Sequence, residues 1–552
     1  MAPSRPRLRG PNAMSEVFAW AVFASFILAL LVINYLLTRW LVDPAESYTL
    51  ATFAVVSCLT ISLLCVLLLP VDVFTASKGD IRTEWTQVVV SQQLVQSTYL
   101  ALFGALLVLC YVVVPFAFFY GEERGADFDE DQEPCGKSAG ALRHTVFFMV
   151  FVVLLLLTGL SFRAGQKARL QHGKEIQFFH HVLDVDHAGD AAISFSIASL
   201  TFLGVMAWIF YSAYGLASFP FELIRSRRSF HEQRVEIEND MATLRERHRA
   251  IQAKYGSRGD GGGASLDMSK MTTRDRWNLT KLQREQRLLT HYNYRLQEME
   301  EAAQSWIAKT MIILTPFRVL IGTALVGLSL LVFISLLLTS IDRFLHSGCA
   351  LSCGFLLESQ RALWNPLDWL LTWLSNYFPL DFVALAVLTL YIFCCSLYGI
   401  TALGIRVAFI PIFPIKPRRS LPQALLLMCF VLAHILLVLC MTLLTIAHQY
   451  ATFGSQTIRR DDGSLEGCST RSDPKHCHIS VIAAFFNRII IGSSVFSVGY
   501  FFANWLFCGV FVLVFLHAWL LRQPRSPLLD GRLDEMDDEA LGLLDMGTEH
   551  KT

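Results

Sequence analysis

The stretch QALLLMCFVLAHILLVLCMTLLT, Gln423–Thr445, contains no acidic or basic residue except His434. It is long enough to cross a ~30 Å hydrocarbon core as a helix. Inside lipid each backbone N–H and C=O must be satisfied within the segment, so helix is the form open to such a run. Eight more apolar runs accompany it: Val17–Leu37, Thr49–Leu69, Thr98–Phe119, Thr145–Phe162, Ala191–Tyr214, Arg318–Thr339, Phe382–Leu403 and Phe496–Leu521. The fold class is therefore all-α, a polytopic membrane protein with about nine transmembrane helices.

The order of these runs divides the chain. Residues 1–228 carry spans one to five, 229–310 form a charged insert, 311–522 carry spans six to nine, and 523–552 are an acidic tail. Pro70, Pro220, Pro316 and Pro422 fall at span ends, where a missing N–H costs little, while Pro115 lies inside the third span and predicts a kink. The formal net charge of zero says nothing of topology, which depends on where Lys and Arg sit. Arg225, Arg227 and Arg228 follow span five; Arg406, Lys416, Arg418 and Arg419 follow span seven; Arg522 and Arg525 follow span nine. With nine spans these flanks share one side, and the positive-inside rule makes it cytosolic, with the N-terminus lumenal. Arg5, Arg7 and Arg9 argue the other way, unless the chain starts at Met14. The first run is long enough to stay as a helix rather than serve as a cleaved leader.

Cysteines agree with this sidedness. Cys349 and Cys353, and Cys468 and Cys477, fall in the loops after spans six and eight, on the oxidising side, as disulfide candidates. The other cysteines lie mostly in spans, as small apolar packing residues.

In the insert, Ile237, Met241, Leu244, His248, Ile251 and Tyr255 alternate spacings of four and three, and Leu282, Leu289 and Leu296 repeat every seven. Both read as amphipathic helices with a seam. The glycines between them, Gly256 to Gly263, interrupt the helix, so a cytosolic helical hairpin is expected, either a strut or a docking surface for a cytosolic or membrane partner, or one whose flanking Lys and Arg lie on membrane lipid headgroups. The tail, acidic and short of aromatics, reads as disordered. It carries Glu539, Leu543 and Leu544 in an acidic dileucine pattern of the kind that sorting adaptors read. The string PLDWLLTWL after span six gathers Leu367, Leu370, Leu371 and Leu374 on one face, with Trp369 and Trp373 suited to a membrane interface. An interfacial or re-entrant helix is expected there.

Chemistry-bearing residues are sparse. His180, His181, Asp184, Asp186 and His187 crowd one loop; the types suit zinc, but a solvated loop is the ordinary reading. Asp72, Glu222, Asp342 and Asp381 stand just outside apolar runs, where capping is the ordinary role and lining a polar membrane path the sharper one. His434 and Asn504 lie within spans, as interhelical hydrogen-bonding residues or members of the same path. Gly136-Lys137-Ser138 lacks the upstream glycine of a phosphate-binding loop, and no serine or cysteine sits in an elbow motif. No catalytic residue, metal ligand or tightly bound cofactor is assigned, and nothing points to nucleic acid.

Several strings are collinear with a known family: LLPVDVF from Leu68, AISFSIASLTFLGVMAWIFYSAYGLASFPFELI from Ala192, FPLDF from Phe378, RSLPQALLLMC from Arg419, FGSQ from Phe453 and FFANWLF from Phe501. They resemble the limb-region membrane protein family, in particular its lysosomal subgroup. The resemblance implies nine spans, a lumenal N-terminus, a cytosolic C-terminus and a multi-pass place in the lysosomal membrane. It also implies a non-enzymatic part in exporting cobalamin (vitamin B12) as transported ligand. The partners implied are a lysosomal ABC half-transporter, which the protein would bind and retain, and a cytosolic cobalamin-processing chaperone. Other members are lipocalin receptors or endocytic adaptors at the plasma membrane, so a surface receptor for a protein ligand is the alternative. A stand-alone transporter or channel is a third reading. The chain departs from the pattern in lacking lumenal glycosylation sequons, and a Tyr-based sorting signal near Phe230.

Overall fold

The computed structural model describes residues 13–43, 46–77, 92–126, 134–164, 201, 203–224, 230–258, 264–266, 279, 282, 315–348, 350–352, 355, 363–377, 379–407, 410–415, 420–459, 465–468, 477, 479–492 and 494–520. Among them, eight helices are long and apolar enough to span a membrane. The fourth expected span falls on a further helix, α5 (Pro134–Ala164), whose described apolar part is the shorter Ser138–Leu154.

In chain order the first helices are α1 (Ala13–Leu41), α2 (Thr49–Ser77), α3 (Gln92–Val108), α4 (Val114–Ala126) and α5. A π turn, Leu109–Val113, joins α3 to α4 immediately before Pro115. The irregularity expected from that proline is thus a widened turn, which absorbs the ring's clash with the preceding carbonyl. A second π turn, Trp208–Ser212, precedes α6 (Ala213–Ile224). The later helices are α7 (Phe230–Tyr255), α8 (Thr315–His346), α9 (Pro366–Leu374), α10 (Leu380–Leu403), α11 (Pro422–Ile446), α12 (His448–Phe453), α13 (Val481–Gly492) and α14 (Ser494–Leu520).

Two expectations need correction. The helices outrun the apolar runs: α2 continues through Pro70 to Ser77, and α6 contains Pro220. Asp72, Glu222, Asp342 and Asp381, expected outside the spans, accordingly lie within α2, α6, α8 and α10. Hydropathy ends where polar residues begin, whereas a helix ends only where its backbone bonds find other partners.

The chain forms two compact units, Met1–Phe219 with Val326–His517 and Pro220–Leu325 with Ala518–Thr552. In the first, α11 is the axis: 83 % of its apolar window is buried, against 17 % for the peripheral α1. Contacts at both ends give the direction of the helices. Val42 bridges to Ser420, whose carbonyl accepts the Asp43 N–H at 3.0 Å, so α1 ends where α11 begins. Ser455 donates its N–H to the Ser77 hydroxyl at 3.1 Å, so α2 and α11 finish together. Short antiparallel ribbons close two of the connections: β3 (Ile405–Val407) with β4 (Ile410–Phe413), and β5 (Thr457–Arg459) with β6 (Leu465–Gly467). Gly404, at φ 67°, ends α10 ahead of the first of these.

In the second unit, α7 covers the first expected helix of the insert. The glycine run is flanked by the paired strands β1 (Gly256–Arg258) and β2 (Ala264–Leu266). Leu244, Leu279 and Leu282 are buried there. Most of the second expected insert helix lies outside the described residues. So do the histidine-rich loop at 180–187, Cys349, Cys353 and the tail with Glu539, Leu543 and Leu544.

Candidate functional site

At the end where α2 and α11 finish, aspartates hold the backbone of neighbouring elements. Asp72 is 1 % exposed, and its two oxygens accept the N–H groups of Val481 and Ile482 at 3.0 and 2.9 Å. These amides open α13, and helix N-termini leave such donors unpaired and favour negative charge. Ser480 stands at the local capping position, but its hydroxyl donates to the Ala451 carbonyl at 2.8 Å. The cap of α13 therefore comes from another helix.

Asp368 of α9 repeats the device, accepting the N–H groups of Gln449 and Tyr450 at 3.2 and 3.0 Å at the start of α12. The Tyr450 hydroxyl in turn donates to Asp381 at 2.9 Å. Burial first, and then the Asp381 carboxylate beside it, push the Tyr450 phenol well above its ordinary pKa, so it remains a donor. The second oxygen of Asp381 is buried, with no hydrogen-bond partner among the described residues. Asp342 accepts the Leu363 N–H at 3.3 Å and pairs with His346 at 2.8 Å. Near the same end Cys468 and Cys477 form a disulfide, with Cα atoms 6.0 Å apart.

His434 lies apart from this layer. Its Nδ1 is 2.7 Å from the Phe430 carbonyl, which can only accept, so Nδ1 carries the proton. Nε2 lies 2.6 Å from the Tyr111 hydroxyl, and in the neutral imidazole it accepts that hydroxyl's hydrogen bond. Tyr111 sits in the π turn between α3 and α4. Gly204 lies against the His434 carbonyl with no room for a Cβ. Cys58, Cys110 and Cys429 are buried beside the pair as free thiols, the packing role expected of them. A cavity of about 40 Å³ adjoins it, lined by Phe103, Leu106, Leu107, Leu437 and Phe485 among others. Asn504, 3 % exposed, is on α14.

Asp72 and Asp381 thus share one end of the bundle, with the Phe74 and Phe382 rings 5.9 Å apart between their helices. His434 lies about 16 Å below Thr445 along α11, at 1.5 Å per residue. The intervening α11 side chains are buried, and the polar ones, Thr442 and Thr445, donate back to Val438 and Met441 carbonyls. The sequence carries no local signal for Tyr111, Asp368 and Tyr450, because their partners lie 323, 82 and 69 residues away. Among the described residues no group of three or more His, Cys, Asp or Glu side chains is arranged to hold a metal ion.

The Tyr111–His434 bond gives a direct prediction. His434→Leu strands a buried hydroxyl and should lower stability by about 1–3 kcal/mol. In the double variant with Tyr111→Phe that penalty should largely vanish. A double-mutant cycle by thermal unfolding in detergent checks it, and additive losses would remove the bond from the account.

Residues 15–258 match the model of a family described as LMBR1-like membrane protein. Over its length the chain is similar to a probable lysosomal cobalamin transporter of Nematostella vectensis, 30 % identical across 95 % of this chain and 98 % of the relative. It is likewise 30 % identical to the lysosomal cobalamin transport escort protein LMBD1 of Bos taurus, across 96 % of this chain and 97 % of the relative. A probable lysosomal cobalamin transporter of Dictyostelium discoideum is 31 % identical across 92 % and 96 %. No solved structure matches the chain. End-to-end similarity at this level, together with a bundle of membrane-length helices, places the chain in the LMBR1-like family of membrane proteins.

Proposed function

We propose that this is a multi-pass lysosomal membrane protein that assists the export of cobalamin from lysosome to cytosol, without catalysis of its own. The observation that carries this reading is similarity over nearly the whole chain to proteins named for lysosomal cobalamin transport. An accessory role, binding and retaining an ABC half-transporter, suits the tight packing around α11. The cavity beside His434, at about 40 Å³, has room for roughly three waters and none for a corrinoid. The cytosolic insert is the natural surface for a cobalamin-processing chaperone.

Orientation follows from charge. Arg39, Arg124, Arg143 and Arg406 lie at the end where α1 and α4 finish and α11 begins, which the positive-inside rule makes cytosolic. The aspartate-capped end with its disulfide is then lumenal, and the N-terminus with it.

The test is free and total cobalamin in lysosomes from cells with and without this gene. Trapped cobalamin, cleared on re-expression, is expected. Normal lysosomal cobalamin would sink the reading. Re-expression of Leu543→Ala with Leu544→Ala should fail to clear it, because protein lacking the dileucine is expected at the cell surface.

A further inference from the structure

The function above leaves α9 unexplained. This helix is capped by Asn365, whose side chain accepts the Leu367 and Asp368 N–H groups at 3.1 and 3.4 Å, and it opens on Pro366. At about 100° per residue it divides into three sectors. Leu367 and Leu371, each 2 % exposed, face the bundle. Asp368 turns to the α12 amides, next to the exposed Thr372. Between the leucine and polar sectors stand Trp369 and Trp373, 54 % and 48 % exposed.

These two indoles are not isolated. Trp364 lies 5.9 Å from Trp369 and Tyr377 lies 5.5 Å from Trp373, ring centre to ring centre, and both neighbours are exposed. The aromatic edge continues into Leu380, Val383 and Val387, an exposed apolar stripe down membrane-spanning α10. That continuity identifies what covers it. A surface joining a lipid-facing stripe to a ring of indole and phenol groups spans the boundary between acyl chains and headgroups. There an amphipathic ring meets apolar chains on one side and water on the other.

We propose that α9 is a membrane-interface anchor, with Trp364, Trp369 and Trp373 seated among phospholipid headgroups of the leaflet at the Asp72 end. Its polar sector meanwhile holds α12 through Asp368, so the leaflet sets the height at which that end of the bundle is capped. The proposal rests on the reading above only for calling this leaflet lumenal, and it stands or falls independently of cobalamin.

The experiment uses the full chain alone in nanodiscs, wild type against Trp364→Phe/Trp369→Phe/Trp373→Phe. The chain has 11 tryptophans, so the quantity read is the difference emission between the two proteins. In discs of phosphatidylcholine brominated high on the acyl chain, that difference should be roughly halved, as for rings at the interface. Aqueous iodide should leave it nearly unchanged. Full quenching by iodide with none by bromolipid would overturn the proposal and make the edge a water-facing surface for a protein partner. Should the triple variant fail to fold, single Trp369→Phe and Trp373→Phe proteins give the same reading one indole at a time.

Discussion

Asp72→Ala is expected to free the first turn of α13 and to cost about 3–6 kcal/mol, from two bonds to a charged acceptor at roughly 1.5–3 kcal/mol each. The two amides it abandons, on Val481 and Ile482, are held by Asp72 alone among the side-chain bonds of the described residues, since the Ser480 hydroxyl is turned toward the Ala451 carbonyl. Asp72→Asn keeps an acceptor oxygen but loses the charge that a helix N-terminus favours, so its loss should be intermediate. The damage should remain local at first. Phe485 of α13 stacks with Phe103 of α3 at 6.1 Å and lines the cavity beside His434, so a loosened α13 opens that cavity before the bundle melts. Hydrogen exchange in the purified protein reads this directly. The Val481 and Ile482 amides should exchange faster in the alanine variant, while α11 stays protected. Unchanged exchange at those two amides would show that the cap is dispensable.

The second large effect concerns a helix crossing. A Cβ on Gly215 would meet the Cys395 carbonyl, and one on Gly399 would meet the Tyr211 carbonyl, so each helix backbone rests in the notch left by the other's glycine. Close approach of this kind substitutes in lipid for a hydrophobic driving force, which membrane helices lack. It also brings the Ser212 and Ser396 hydroxyls to 2.8 Å. Gly399→Leu places its side chain against backbone, which cannot swing aside. It should cost about 3 kcal/mol and break the Ser212–Ser396 contact. Gly509→Ala is the matched control, since nothing stands within 4 Å of its Cβ position. That change should be neutral or slightly stabilising, because alanine favours helix by up to ~1 kcal/mol. The check is the fraction of monodisperse protein recovered in detergent and its melting temperature. A Gly399→Leu protein as stable as the Gly509→Ala protein would mean the helices do not cross as described.

These two cases mark how far the sequence could be read. The membrane class, the spans and the existence of α9 were legible because each depends on the composition of one contiguous stretch. A run like Gln423–Thr445 must be helical in hydrocarbon whatever surrounds it. The Cys468–Cys477 pairing was legible for a similar reason: the two are 9 residues apart in one loop. Helix ends are not legible in the same way, as Asp72 shows, because hydropathy falls before the backbone hydrogen bonding does.

The sequence by itself thus determined which segments are helical and membrane-long, where charge collects outside them, and that an aromatic amphipathic helix follows span six. Tertiary structure decided which partners polar groups within those helices meet, Asp72 and His434 among them. The sequence leaves Asp72 as a path-lining or a capping residue, and the amide it accepts in the structure, that of Val481, comes from 409 residues away. His434 is buried, and its partner Tyr111 lies 323 residues away. The physical reason is the difference in range. Burial of an apolar run is a property of the run, whereas a buried polar atom is satisfied by whichever partner the fold carries to it.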